Sequence, residues 1–119
     1  MSVASKLQIK PGQSVAVIDR PGDVDLELPP GSATESDPSA ADAVIVFVAN
    51  SKELDDRGSP AVEAAMRDAL AWVAYPKAGK LGTDLNRDSL AAILRGRGTQ
   101  PVRQVAIDET WSALRFRPT

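Results

Sequence analysis

Lys77, Thr83 and Asp84 fall at the junctions of one stretch, WVAYPKAGKLGTDLNRDSL, running from Trp72 to Leu90. An apolar run ends there in Pro76-Lys77, a glycine-bearing loop follows, and a helix opens near Thr83-Asp84. A cation beside the free amides of a helix start is an arrangement that holds anions. Arg20, at the end of an earlier apolar run, can add a second positive charge. Asp108 can hold Lys77 or a ligand hydroxyl. Lys77, Asp84 and Asp108 can do acid–base work only if burial shifts one of their pKa values. The same residues have plainer roles: a solvated loop lysine, a helix cap at Thr83-Asp84 worth about 1 kcal/mol, and a turn at Asp108-Glu109. Trp72 and Trp111 read as core or interface residues. Trp111 lies beside the acidic turn and reads equally as a stacking platform.

Composition removes most other chemistry. The 119 residues contain no histidine and no cysteine. Disulfides, thiolate nucleophiles, the usual general base and the usual transition-metal ligands are therefore ruled out. A metal site would need hard oxygen ligands, suited to magnesium or calcium; none is expected, and no cofactor. The formal charge of −2 and the pI near 5.1 argue against a nucleic-acid-binding domain. There is no phosphate-cradling glycine–lysine loop and no nucleophile elbow. No apolar run approaches the roughly 20 residues of a membrane span, and the start, MSVASKLQIKPGQ, lacks the apolar region of a signal peptide. The expectation is a cytoplasmic protein bound to neither membrane nor nucleic acid.

The elements that must position these residues can be read from apolar periodicity. Ser5 is expected to cap a helical turn that Pro11-Gly12 ends. SVAVI, Ser14 to Ile18, is a short buried strand. DVDLEL, Asp23 to Leu28, alternates and fits a strand or one helical turn. Residues 21–41 form a loop-rich insertion, with room for one brief strand around Ser32 to Glu35. ADAVIVFVAN, Ala41 to Asn50, is continuously apolar, as a strand covered on both faces would be. Ser51 to Ser59 is polar and reads as a connection. From Pro60, Val62, Ala65, Met66, Ala69 and Leu70 sit at helical spacing, leading into the strand AWVAYP. After the loop 78–82, Thr83 or Asp84 is expected to cap a helix carrying Leu85, Leu90, Ile93 and Leu94, stopped by Gly96 and Gly98. PVRQVAID and TWSALRFRP read as a hairpin about Asp108-Glu109. The expected fold is one α/β domain over residues 1–119. It is a short Rossmann-like, mostly parallel sheet with helices packed on it and a C-terminal antiparallel β-hairpin.

A Rossmann-like sheet closed by such a hairpin looks like the methyltransferase fold. On that likeness SVAVI is its first strand, AVIVFVAN its fourth, AWVAYP its fifth and the hairpin its last two. The chain departs from it where the S-adenosylmethionine site is built. The turn IDRPGDVD has one glycine and no long amphipathic helix after it, and only Glu35 could supply the acidic residue of the second strand. More specifically, WVAYPK, TDLNRD and DETWSALRF, together with KLQIKPG and ADAVIVFV, resemble a small bacterial family catalogued as domain of unknown function 3052. The likeness covers nearly the whole chain and is least between Pro21 and Ala41. It implies a cytoplasmic α/β domain and carries no activity with it.

In a parallel sheet, ligands belong at the C-terminal ends of the strands. Arg20, Asn50, Tyr75, Lys77, Thr83, Asp84, Asp108, Glu109 and Trp111 are thus the candidate ligand-binding residues, with no catalytic residue among them. The favoured expectation is a non-enzymatic binding or self-associating module, pairing through the final hairpin if its last strand is an edge. The alternative is a nucleotide- or anion-like small-ligand binder, or a weak transferase, using the strand-end cluster.

Overall fold

The computed structural model of the chain describes residues 3–28, 31, 33–77 and 79–119. Strands β1 (Ser14–Ile18), β2 (Ala33–Thr34), β3 (Ala43–Phe47) and β4 (Leu70–Pro76) run parallel. Among the described residues, strand β5 (Thr99–Ala106) pairs only with β6 (Trp111–Pro118), and β6 pairs antiparallel with both β5 and β4. The six strands lie in the order β2-β1-β3-β4-β6-β5. This is the expected α/β architecture, with one correction of consequence. The last strand is not an edge: β6 lies inside the sheet, and β5 is the edge. Trp111 and Phe116 are accordingly buried, at 5% and 2% exposure, and the hairpin presents no exposed aromatic.

Strand β3 shows why continuous apolarity marked it. Val44 and Val46 pack on one face; Ala43, Ile45 and Phe47 pack on the other; all five residues are buried. The first face is covered by helices α2 (Ser51–Arg57), α3 (Ser59–Met66) and α4 (Arg87–Arg95). Ala61, Ala64 and Ala65 form the buried stripe of α3 and let its backbone come close to the sheet, while Leu54, Leu90 and Leu94 fill the flanks. The second face is covered by the short helix α1 (Val3–Lys6), Leu7, Ile9, and Val24 and Leu26 of an irregular strap. A thin cover leaves volume to fill, and Phe47, Trp72 and Trp111 fill it. Phe47 and Trp111 meet edge to face, with ring centroids 5.3 Å apart. Trp72 is fully buried, and its indole N–H donates to the Leu7 carbonyl at 3.0 Å.

Several expected boundaries move. Ser5 lies within α1 rather than capping it. DVDLEL forms neither strand nor helix, yet its alternation is kept through Glu27: Val24 and Leu26 are buried, and Asp23, Asp25 and Glu27 are exposed, while the final Leu28 is exposed as well. The brief strand is Ala33–Thr34; Ser32 lies outside the described residues, as does Ala78 of the expected loop. Ser51 to Arg57 is a helix, not a polar connection. The Asn50 side chain accepts from Glu53 N at 2.9 Å to start it, Glu53 pairs with Arg57 one turn on, and Leu54 anchors it. Helix α3 ends at Met66, and Leu70 already belongs to β4. Helix α4 is capped by neither Thr83 nor Asp84. Asn86 and Ser89 form a reciprocal capping box instead, each side chain accepting the other's backbone N–H at 2.9 Å.

Candidate functional site

The register of β4 against β6 fixes the rim of the sheet. Tyr75 pairs with Ser112 and Pro76 with Trp111, and the Lys77 N–H then donates to the Thr110 carbonyl at 2.7 Å. The end of β4 and the Asp108 bend therefore share one edge of the molecule. On the helical side of that edge opens a cleft of about 490 Å³ between β4, β6, β5 and the start of α4. Tyr75, Lys77, Arg87, Gln104 and Ser112 supply its working side chains, with Asn86 and Asp88 at its α4 wall.

Tyr75 is the floor. Its side chain belongs to the helix-side core, and its hydroxyl accepts a hydrogen bond from Gln104 Nε2 at 3.0 Å. Gln104 stands two strands away, and adjacent strands are about 4.8 Å apart. The phenol must cross β6 to meet it, and the small Ser112 beneath leaves room for that. Burial pushes the Tyr75 pKa above its ordinary value, opposed by the Gln104 hydrogen bond and the nearby Arg87 charge. Tyr75 thus stays a neutral phenol with its own proton available to donate. Lys77 is half-buried and Arg87 exposed, and among the described residues neither forms an ion pair. The cleft offers an ammonium, a guanidinium, a phenol O–H and a serine O–H, against one carboxylate, Asp88. Such a surface suits a ligand rich in acceptors.

Of the sequence candidates, the cleft gathers Tyr75 and Lys77 only. Asn50 is spent on capping α2. The Thr83 hydroxyl accepts from Leu85 N at 3.0 Å and shapes the loop. Asp84 turns away from α4 and accepts from Ser51 N at 2.8 Å and from the Ser51 hydroxyl. Its pKa is held below the ordinary value by the Ser51 hydroxyl first and the Ser51 N–H second. Asp108 does not reach Lys77; its Oδ1 accepts from Thr110 N and Trp111 N, both at 2.8 Å, and builds the hairpin turn. Glu109 is exposed at that turn. Trp111 belongs to the opposite face of the sheet and is core, not a stacking platform. Arg20 lies in a different cleft, of about 600 Å³, where its guanidinium is turned onto the Pro21 and Val24 carbonyls beside Asp23, Asp25 and Glu27. That cleft is acid-lined and its cation is already engaged.

Arg87, Gln104 and Ser112 were not singled out from sequence. A signal existed for Arg87: Asn86-x-x-Ser89 is a capping pattern, which puts Arg87 at the first helical position facing the rim. None existed for Gln104, whose reach depends on β6 lying between β4 and β5.

The position where an open α/β sheet most often binds ligand is the reversal of strand order, here between β1 and β3. A chain of side-chain contacts occupies it. Arg57 Nε meets Asp19 Oδ2 at 3.2 Å, Arg57 also meets Glu53 at 2.9 Å, and Glu53 accepts from Ala49 N at 3.1 Å. The loop after β1 leads into the strap rather than into a helix, and the helix that starts beside this crevice is α2, after β3. Among the described residues no group of three or more acidic side chains is placed to hold a metal, and no helix is long and apolar enough to cross a membrane. No family model and no curated protein matches this chain.

Proposed function

We propose that this domain is a non-enzymatic binding module that takes a small anionic ligand, phosphate-bearing or carboxylate-bearing, in the cleft at the end of β4. The observation that carries the reading is that Lys77 and Arg87, without an ion-pair partner among the described residues, flank the Tyr75–Gln104 hydrogen bond. Binding is favoured over catalysis because the Tyr75 phenol is shifted toward its donor form, away from that of a base. The strings that carry the resemblance to the small bacterial family, which itself implies no activity, also converge here. Tyr75 and Lys77 lie in WVAYPK, Arg87 and Asp88 in TDLNRD, and Ser112 in DETWSALRF, so its three most specific strings meet at this cleft.

The methyltransferase likeness is supported by the adjacency of β1, β3 and β4 and by the antiparallel β6 between β4 and β5. An S-adenosyl ligand is disfavoured by the ion pairs at the β1–β3 reversal. Self-association is the weaker proposal. It would fall to β5, whose Pro101 and register shift between Pro101 and Arg103 interrupt the ladder a second copy would need.

The test is thermal shift and calorimetry with inorganic phosphate, nucleotides, dicarboxylates and S-adenosyl compounds. A phosphate- or carboxylate-bearing ligand at about 100 times its Kd stabilises by about 2.7 kcal/mol. Lys77→Ala and Arg87→Ala each abolish that gain while leaving the unliganded Tm nearly unchanged. Equal stabilisation of both variants and the parent, or none of any, would reject the reading.

A further inference from the structure

The other face of the same hairpin carries a second concentration of positive charge that the cleft does not use. Side chains alternate along β6, so Arg115 and Arg117 share the face of Trp111 and Ala113. On β5, Arg103 is the register partner of Arg115. Like charges directly opposite on one face of a sheet destabilise it. The neighbouring carboxylate is spoken for: Asp68 takes Arg117 in a two-pronged contact, Nε to Oδ1 at 2.9 Å and Nη2 to Oδ2 at 3.2 Å. Among the described residues, Arg103 and Arg115 form no ion pair. Lys6 adds a further cation, its Nζ 3.5 Å from the Ala106 carbonyl.

Arg115 is the centre of the cluster. Its Nη1 donates to Gln8 Oε1 at 2.8 Å, but its Nε–H is buried and has no acceptor among the described residues. A buried donor without a partner is rare in folded proteins and is costly to leave unpaired. Burial first and Arg117 second lower the Arg115 pKa; Asp68 opposes them, and Arg103 lowers it further. Gln8 and Asp68, the acceptors that hold Arg115 and Arg117, both adopt left-handed backbone, with φ of 64° and 60°. Side chains other than glycine rarely take that conformation without compensation.

We propose that Arg103 and Arg115 form an oxyanion site on this face, taking a phosphate or carboxylate group between the free Nε–Nη2 edge of Arg115 and the exposed guanidinium of Arg103. Gln8 holds the Nη1 side of Arg115, and the guanidinium pivots about that contact to turn its buried Nε–H toward the ligand. The bound oxyanion would supply the acceptor that Nε–H lacks and would relieve the Arg103–Arg115 repulsion. This site is separate from the cleft of Lys77 and Arg87: Ser112 and Gln104 face the helices, Arg115 and Arg103 the strap.

The experiment titrates the full chain with inorganic phosphate and, separately, with citrate, each against sodium chloride at equal ionic strength. A Lys77→Ala/Arg87→Ala background removes the cleft. The expected result is a saturable rise in Tm above the chloride control, weakened about tenfold in apparent Kd by Arg103→Gln. Arg103 is exposed, so that variant keeps the fold. In an isotope-labelled sample the Arg115 Nε–H resonance moves downfield on saturation. The stronger of the two anions tells a phosphoryl site from a carboxylate one. A rise no larger than chloride gives, or one that Arg103→Gln leaves untouched, overturns the proposal, even if the cleft binds its own ligand as described.

Discussion

Asp84 Oδ1 accepts the backbone N–H of Ser51 at 2.8 Å, and its other oxygen accepts the Ser51 hydroxyl, across 33 positions of sequence. One carboxylate thereby ties the loop between Lys77 and Arg87 to the first residue of α2. A negative charge at a helix start is favourable, and Asn50 leaves the Ser51 amide for Asp84 to take. Asp84→Ala is expected to lower the Tm at neutral pH and to loosen that loop, read as faster amide exchange at residues 79–86.

Stability should fall in acid through this contact and two others. The pKa of Asp84 is lowered from 3.8 by Ser51, that of Asp68 by Arg117, and that of Asp37 by Ser39. A carboxyl whose folded pKa is depressed contributes stability that is fully present above its unfolded value. That contribution is lost as pH falls through the lower folded value. Urea unfolding measured from pH 7 downward should show a plateau above the carboxylate range and a decline beginning near pH 4. Asp84→Ala should flatten part of that decline. An unchanged slope in the variant would contradict the assignment.

Tyr75 is the only tyrosine of the chain, so phenolate absorbance in the near ultraviolet reports on it alone. Its titration should lie above 10.0 in the folded protein. Gln104→Ala removes a hydrogen bond that lowers the pKa, and Arg87→Ala removes a favourable charge, so each should push it higher. Because the folded state holds the proton more tightly, stability declines as pH rises past the unfolded value of 10.0. A titration at or below 10 in the folded chain would remove the neutral donor from the floor of the cleft.

Gly58 joins α2 to α3 with an ordinary helical φ of −73°, so its need for glycine is steric. A Cβ there would stand 2.5 Å from the Leu54 carbonyl oxygen and 3.0 Å from a Leu54 methyl. Gly58→Ala is expected to cost about 1–3 kcal/mol in chemical denaturation. A neutral result would mean that the two helices part freely.

The two tryptophans should behave as core. Trp72→Phe leaves the Leu7 carbonyl without its donor and should cost about 1–3 kcal/mol. Trp111→Ala removes the partner of Phe47 and should cost about 3–5 kcal/mol. Trp72→Phe should leave anion affinity at the Lys77 cleft unchanged, since the indole lies on the other face.

How far the chain could be read beforehand follows from what kind of force holds each part. Strand β3 and the core of α4 were legible because burial on both faces, or on one helical stripe, writes itself into apolar spacing. Helix α2 was not, because it has one buried apolar residue, Leu54, and is held by Asn50, Glu53 and Asp84. DVDLEL shows the converse. Its alternation records burial of Val24 and Leu26, but a strand also needs a neighbour to pair with, which spacing does not reveal. Tyr75 and Lys77 were legible as a polar strand end. Arg87 and Gln104 were not, because they join the site only through the insertion of β6.

That insertion also sets an order of events during synthesis. A nascent chain that ends at residue 110 would carry β4 with one side bare and β5 without its partner, since among the described residues β5 pairs with β6 alone. Arrested ribosomal complexes of that length should thus be open to protease and to chaperones, and protection should come abruptly once residues 111–118 emerge.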